Sequence, residues 1–178
     1  MSTLENLSIN AQLDTIADFV RYGTSQFNHA ELFFGHGTDN AWDEAIVLVM
    51  YALALPEELF EQAKPCKLTD DEKSDVMSVF EARIEQGLPA AYITNFAKFV
   101  GLPFYVDERV LVPRSPIGEY IEKRFTPYFT ENQAPNRILD LCTGSGCIAL
   151  ACAHFFPEAE VDAVDLSLDA LNVAQINI

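Results

Sequence analysis

Basic residues are scarce: 11 Lys and Arg stand against 27 Asp and Glu, a formal net charge of −16 over 178 residues. Without a basic stripe there is nothing to displace counterions from phosphates, so direct binding of nucleic acid is not expected. Such a surface suits a basic protein partner, although acidity also simply keeps a chain in solution. Long apolar runs are missing as well. The longest, Ile46 to Leu55, stops after ten residues at Pro56, too short for a membrane span. Met1 to Asn10 has neither a positive cluster nor an apolar stretch, so no targeting segment is expected and the compartment is read as the cytoplasm. Histidine and cysteine are few. His29, His36 and His154 stand apart from any Cys or Asp cluster, and only His36, between Gly35 and Gly37, has a setting that permits a structural or interaction role. Cys66, Cys142, Cys147 and Cys152 match no CxxC pair and no zinc ligand set, so they read as small buried thiols in a reducing compartment, with no metal site.

What the chain does hold is concentrated between Arg137 and Asp165, RILDLCTGSGCIALACAHFFPEAEVDAVD. An apolar run ends in Asp140, a Gly144-Ser145-Gly146 turn follows, and a small apolar helical segment runs from Cys147 to Phe156. Pro157 closes it, and Val161 to Val164 form a second strand-like run ending at Asp165. This is a strand, glycine loop, helix and strand with a carboxylate at the far end, the plan of an adenosine-cofactor site. Glycines allow a sharp turn close to a ligand, the helix start offers free N–H groups, and an acid on the second strand can accept from ribose hydroxyls.

Two cofactor classes share that plan. Gly144-x-Gly146-x-x-Ala149 satisfies the loose dinucleotide pattern, and Asp165 follows Gly146 by 19 residues, which would make the chain an NAD-dependent oxidoreductase. Asp140 argues the other way. A carboxylate four residues before the first glycine would repel a pyrophosphate, whereas the ammonium and sulfonium of S-adenosyl-L-methionine both favour it.

The run Ile138-Leu139-Asp140-Leu141-Cys142-Thr143-Gly144-Ser145-Gly146-Cys147-Ile148-Ala149-Leu150 resembles the first motif of class I S-adenosylmethionine-dependent methyltransferases, in the form found in their protein-glutamine branch. Two upstream segments, Phe33 to Glu44 (FFGHGTDNAWDE) and Leu102 to Pro116 (LPFYVDERVLVPRSP), are similar to members acting on large-subunit ribosomal protein L-three rather than on release factors. The resemblance runs from about Leu13 to the last residue. Cys142 departs from the broad pattern, which has a glycine there.

The resemblance implies transfer of a methyl group to the side-chain amide nitrogen of a glutamine in a basic ribosomal protein. Asp140, Cys142, Thr143, Gly144, Ser145, Gly146 and Asp165 would bind the cofactor: Cys142 to Gly146 around its methionine part, Asp140 near its ammonium, Asp165 on its ribose. Arg114 resembles a recurrent feature near that pocket, and pairing with Glu119 or Glu122 is its alternative. The branch's catalytic Asn-Pro-Pro-Tyr is not in the sequence, since no proline neighbours another or follows an asparagine. No catalytic residue is therefore assigned, the chain is read as the N-terminal portion of a longer enzyme, and by itself it is expected to be inactive. A non-catalytic, protein-binding helical module is the alternative from another class.

The expected fold is α/β in three parts. Residues 1–90 form a helical substrate-recognition domain, 91–114 a linking β-hairpin, and 115–178 the start of a Rossmann-like methyltransferase sheet. Helices are expected from after Asn10 to Gly23 and from Ala41 to Leu55 with Asn40 as N-cap. Another starts at the capping box Thr69-Asp70-Asp71-Glu72, with Val76, Val79, Phe80 and Ile84 inward and Gly87 as its stop. The hairpin is read as Tyr92–Val100 and Pro103–Val106, joined through Gly101-Leu102. Ser115-Pro116 should open a helix with Ile117, Tyr120, Ile121 and Phe125 against the sheet, and Ser167 should cap a last helix carrying Leu168, Leu171 and Ala174. A two-stranded parallel sheet covered on one face leaves the other open.

Overall fold

The structure, a computed structural model, describes residues 12–35, 37–129 and 134–178; His36 lies outside them. The chain is α/β and divides into two compact units, Met1–Thr94 and Asn95–Ile178. The β-hairpin thus counts with the second unit.

The first unit is helical. Helix α1 (Ile16–His29) opens on a capping box in which Thr15 Oγ1 accepts from the Asp18 N–H and Asp18 accepts from the Thr15 N–H. Its buried face, Ile16, Phe19, Val20, Gly23 and Phe27, repeats at helical spacing. The expected stop at Gly23 is wrong: the helix runs six residues further. A Cβ on Gly23 would come within 2.5 Å of the Phe80 ring, so this glycine makes room for a neighbour and ends nothing. Helix α2 (Ala41–Ala52) is capped by Asn40, whose Oδ1 accepts from the Asp43 N–H. It ends before Leu55, with Ala54 turned to φ 52°.

A short helix α3 (Phe60–Ala63) precedes α4 (Asp70–Glu85), which starts at the Thr69–Glu72 capping box. Val76 and Phe80 are buried, Val79 and Ile84 partly so, and Gly87 beyond the helix end sits at φ +67°. Helix α2 packs on α1, on α4 and on α5 (Ala90–Thr94), around Phe19, Phe27, Leu48 and Phe80. The Phe27 and Phe80 rings meet edge to face at 5.3 Å. One ion pair is set into this apolar unit. Glu44 on α2 and Arg83 on α4 are both buried and paired; Thr38 donates to Glu44 at 2.6 Å and Arg83 to the Phe33 carbonyl at 2.9 Å. The loop carrying the Phe33–Thr38 motif is thereby fastened to two helices.

In the second unit the chain leaves α5 through Asn95 at φ 52° before β1 (Phe96–Phe99) pairs antiparallel with β2 (Leu102–Tyr105). The strand expected from Tyr92 is corrected: residues 90–94 are helical, and a left-handed asparagine, tolerant of that conformation, ends them. The turn is Val100-Gly101, φ 45° and 78°, with Phe99 opposite Leu102. Helix α6 (Ile117–Glu122) follows; the Ile117 N–H donates to Ser115 Oγ at 3.3 Å and Pro116 stands at the N-cap. It is shorter than expected. Arg124 and Phe125 take positive φ, so Phe125 falls outside it, Tyr120 is exposed, and the buried Ile121 belongs to a face packed on the next helix, α7.

Strands β3 (Arg137–Leu141) and β4 (Glu160–Val164) run parallel, with Leu141 opposite Val164, and α7 (Cys147–Phe155) packs against both. Leu139, Leu141 and Val164 remain exposed. Helix α8 (Leu168–Asn177) is capped by Ser167, and its buried residues are Ala170, Val173 and Ala174, not Leu168, which is exposed. Among the described residues no helix is long and apolar enough to cross a membrane.

The buried pair gives a direct test. Glu44→Gln leaves the Arg83 charge buried without its counter-charge and should cost about 3–5 kcal/mol in urea unfolding. Replacing both with Leu and Met should cost less than the single change. A single variant as stable as the parent would show that the pair holds nothing together.

Candidate cofactor-binding site

Between β3 and α7 the chain reverses in five residues. Cys142, Gly144 and Gly146 take φ 61°, 57° and 80°, and the Thr143 N–H donates to the Val164 carbonyl at 3.0 Å, extending the β3–β4 ladder by one bond. Each strand ends in a carboxylate that collects donors from this turn. Asp165 accepts the Gly144 N–H on Oδ2 and the Ser167 N–H on Oδ1, both at 2.9 Å. Asp140 Oδ2 accepts the Thr143 hydroxyl at 2.6 Å and the Ala149 N–H at 3.2 Å, so it satisfies a donor in the first turn of α7 that Gly146 at the N-cap cannot.

The two glycines are needed for different reasons. A Cβ on Gly144 would meet nothing within 4 Å, so only its backbone angle demands glycine. A Cβ on Gly146 would lie 3.3 Å from the Ala174 Cβ on α8, so there both angle and close approach apply.

The turn forms one wall of a cavity of about 490 Å³. Cys142, Thr143, Gly144, Ser145 and Asp165 all line it, whereas Asp140 and Gly146 do not. Those two act on the wall from behind, through Asp140's donors and Gly146's contact with α8. The opposite wall is residues 109–115, with Ser167 and Ala170 contributing beside Asp165. Of that wall only Arg114 is singled out by the sequence; it lines the cavity and, among the described residues, pairs with neither Glu119 nor Glu122. An exposed Leu111 in a loop flanked by prolines was the remaining signal. The base of this wall is stiffened by Asp107, which accepts the Tyr105 hydroxyl at 2.9 Å and the Arg109 guanidinium, with Nη2 at 2.6 Å.

The electrostatics follow the bonding. Arg109 beside it holds the Asp107 carboxyl down at about 2. The N–H groups of Ser167 and then Gly144 lower Asp165 from its ordinary value. Burial pushes the Cys147 thiol up, and Cys152 up to about 11, leaving both protonated and unreactive.

Two outcomes are expected from this geometry. Gly144→Ala should cost only the left-handed strain, about 1–2 kcal/mol, while Gly146→Ala adds the Ala174 contact and should lower the unfolding midpoint further. Both carboxylates have lowered folded values, so what they stabilise is fully present above about pH 3.8 and is lost as pH falls: toward about 2 for Asp107, and below 3.8 for Asp165. An NMR titration should show the Gly144 and Ser167 amide protons keeping their shifts down to pH 4 and moving only below it. Movement near pH 5 would remove Asp165 as their acceptor.

The Methyltransferase small domain family matches residues 125–178, within the second unit. A "Ribosomal protein uL3 glutamine methyltransferase" of Neisseria gonorrhoeae (strain ATCC 700825 / FA 1090) is 49% identical over 167 residues, 94% of this chain and 56% of its own length. One of the same name from Neisseria meningitidis serogroup B (strain ATCC BAA-335 / MC58) is 48% identical over 167 residues, 94% of this chain and 55% of its own. The chain spans about half the length of the curated relatives it matches. Turn, strand-end acids and kinship agree: along nearly all of its length the chain is homologous to the ribosomal protein uL3 glutamine methyltransferases.

Proposed function

We propose that the second unit is the S-adenosylmethionine-binding part of a protein-glutamine N-methyltransferase, and that its substrate is a glutamine side chain of ribosomal protein uL3. In this reading residues 115–178 begin a Rossmann-like sheet, 91–114 link, and 1–90 present the protein substrate. The observation that carries it is Asp165. It lies at the end of β4 on the cavity wall, and each of its oxygens takes one backbone N–H. A carboxylate oxygen has a second lone pair, so Asp165 can still accept two ribose hydroxyls.

The donor set fits the cofactor. Exposed Cys142 and glycine-thin Gly144 leave the wall open to a bulky ligand, and the Asp140 charge behind the turn favours a cation, not a pyrophosphate. When bound, S-adenosylmethionine supplies a methyl group on a sulfonium, an electrophile that needs no further activation. The chain's own part is to bind and orient. Asp165 fixes the ribose, Cys142 to Gly146 flank the methionine part, and the 109–115 segment closes the far side. An amide nitrogen is a weak nucleophile because its lone pair is delocalised, so rate depends on alignment against the methyl carbon. No residue of the cavity wall is of a kind to grip both the N–H and carbonyl of a glutamine amide, and the reading assigns this chain the cofactor side of the reaction. Kinship with enzymes of that name favours it over an NAD-dependent oxidoreductase.

Calorimetry with S-adenosylhomocysteine and with NAD tests the cofactor: only the first should bind. Asp165→Ala should weaken it by about ten- to a hundredfold, the worth of hydrogen bonds to a charged group. Binding of NAD instead, or affinity indifferent to Asp165, would remove this reading. Transfer of labelled methyl to unmodified uL3, located by mass spectrometry, tests the substrate in the whole protein; label on a residue other than glutamine would refute it.

A further inference from the structure

We propose that Asn177 is a positioning residue that sets the width of the cofactor cavity by tying the glycine loop to the free edge of β2. Its side chain makes three bonds. Oδ1 accepts the Tyr105 N–H at 2.7 Å, and Nδ2 donates to the Tyr105 carbonyl at 3.1 Å and to the Ser145 carbonyl at 2.9 Å. The Val106 N–H turns to the Asn95 carbonyl on the β1 side, so the N–H and C=O of Tyr105 face the opposite edge. Asn177 exchanges both bonds with that residue, as a neighbouring strand would, and its second amide hydrogen remains for the loop. Only a side chain with one acceptor and two donors at this length can do all three.

Both ends of the tie belong to cavity walls. Ser145 lies in the loop, and its carbonyl otherwise has no printed partner in the turn's own bonds, which run from Thr143, Gly144 and Gly146. Tyr105 is the last residue of β2, and its hydroxyl joins Asp107 and Arg109 at the base of the 109–115 wall. Helix α8 carries the tie on the face that already meets the loop: Ala170 lines the cavity, Ala174 abuts Gly146, and Asn177 follows three residues on. Losing the amide therefore frees one wall from the other without removing any group from the cavity.

The cofactor arm of the test rests on the methyltransferase reading; the exchange arm does not. In the ligand-free protein, Asn177→Ala should speed hydrogen exchange at the Tyr105, Gly144 and Gly146 amides by about tenfold or more, with amides of the first unit unchanged. Asn177→Asp separates the two bonds. Its carboxylate still accepts the Tyr105 N–H, so that amide stays slow, but it has no hydrogen for Ser145, so the loop amides speed up. With S-adenosylhomocysteine as probe, both variants should bind about tenfold more weakly. Loop exchange unchanged in Asn177→Asp would overturn the proposal, and so would collapse of every slow amide in residues 95–178, which would make Asn177 a core residue. Failure of the parent itself to bind the probe counts against the methyltransferase reading and leaves the exchange result to decide the role of Asn177.

Discussion

The turn from Cys142 to Gly146 has to reverse the chain between two parallel strands while leaving no backbone donor stranded. That constraint organises the second unit. Three left-handed residues point several N–H groups inward at once, and the acids at the two strand ends receive them. Asp140 anchors the helix side of the turn and Asp165 the strand side. Their negative charge is thus paired with backbone dipoles in the ligand-free molecule, and the wall exists before any cofactor arrives. Pre-organisation of this kind reduces the ordering cost that a ligand must otherwise meet.

The helical unit solves a different problem with similar means. Its apolar core needs only shape, and Gly23 yields space to Phe80 for that reason. The Phe33–Thr38 loop has no regular structure to hold it, and the Glu44–Arg83 pair supplies fixed points: a carboxylate for Thr38 and a guanidinium for the Phe33 carbonyl. A buried ion pair adds little net stability over an apolar replacement, but it dictates which backbone atoms must come to it. The loop's geometry is specified by that demand.

Local chemistry was the most legible part of the chain. Asn40, Thr69 and Ser167 cap helices where the residue types place them, because a cap needs only a side-chain oxygen and the next three residues. The strand ends and the glycine turn were legible for the same reason. What distance in the chain conceals was not. Gly23 read as a stop because its neighbour Phe80 is far along the sequence. Asp140 read as a cofactor contact, whereas its bonds go to Thr143 and Ala149 behind the wall. The wall at 109–115 has no periodicity to mark it, and Asn177 sits at the end of a helix whose pattern says nothing of a strand 72 residues earlier. Tyr92 looked like strand by composition, yet helical packing against α2 prevailed over that preference.

Cys142 has a practical consequence. It is exposed on the cavity wall, while Cys147 and Cys152 are buried with their thiols held protonated, so in the second unit a thiol-reactive dye has one accessible target. The only other exposed thiol, Cys66, belongs to the first unit and can be replaced by serine. A dye carried at Cys142 would report directly on what enters the space beside Asp165. The left-handed residue that stands where a glycine is usual makes the cleft optically addressable.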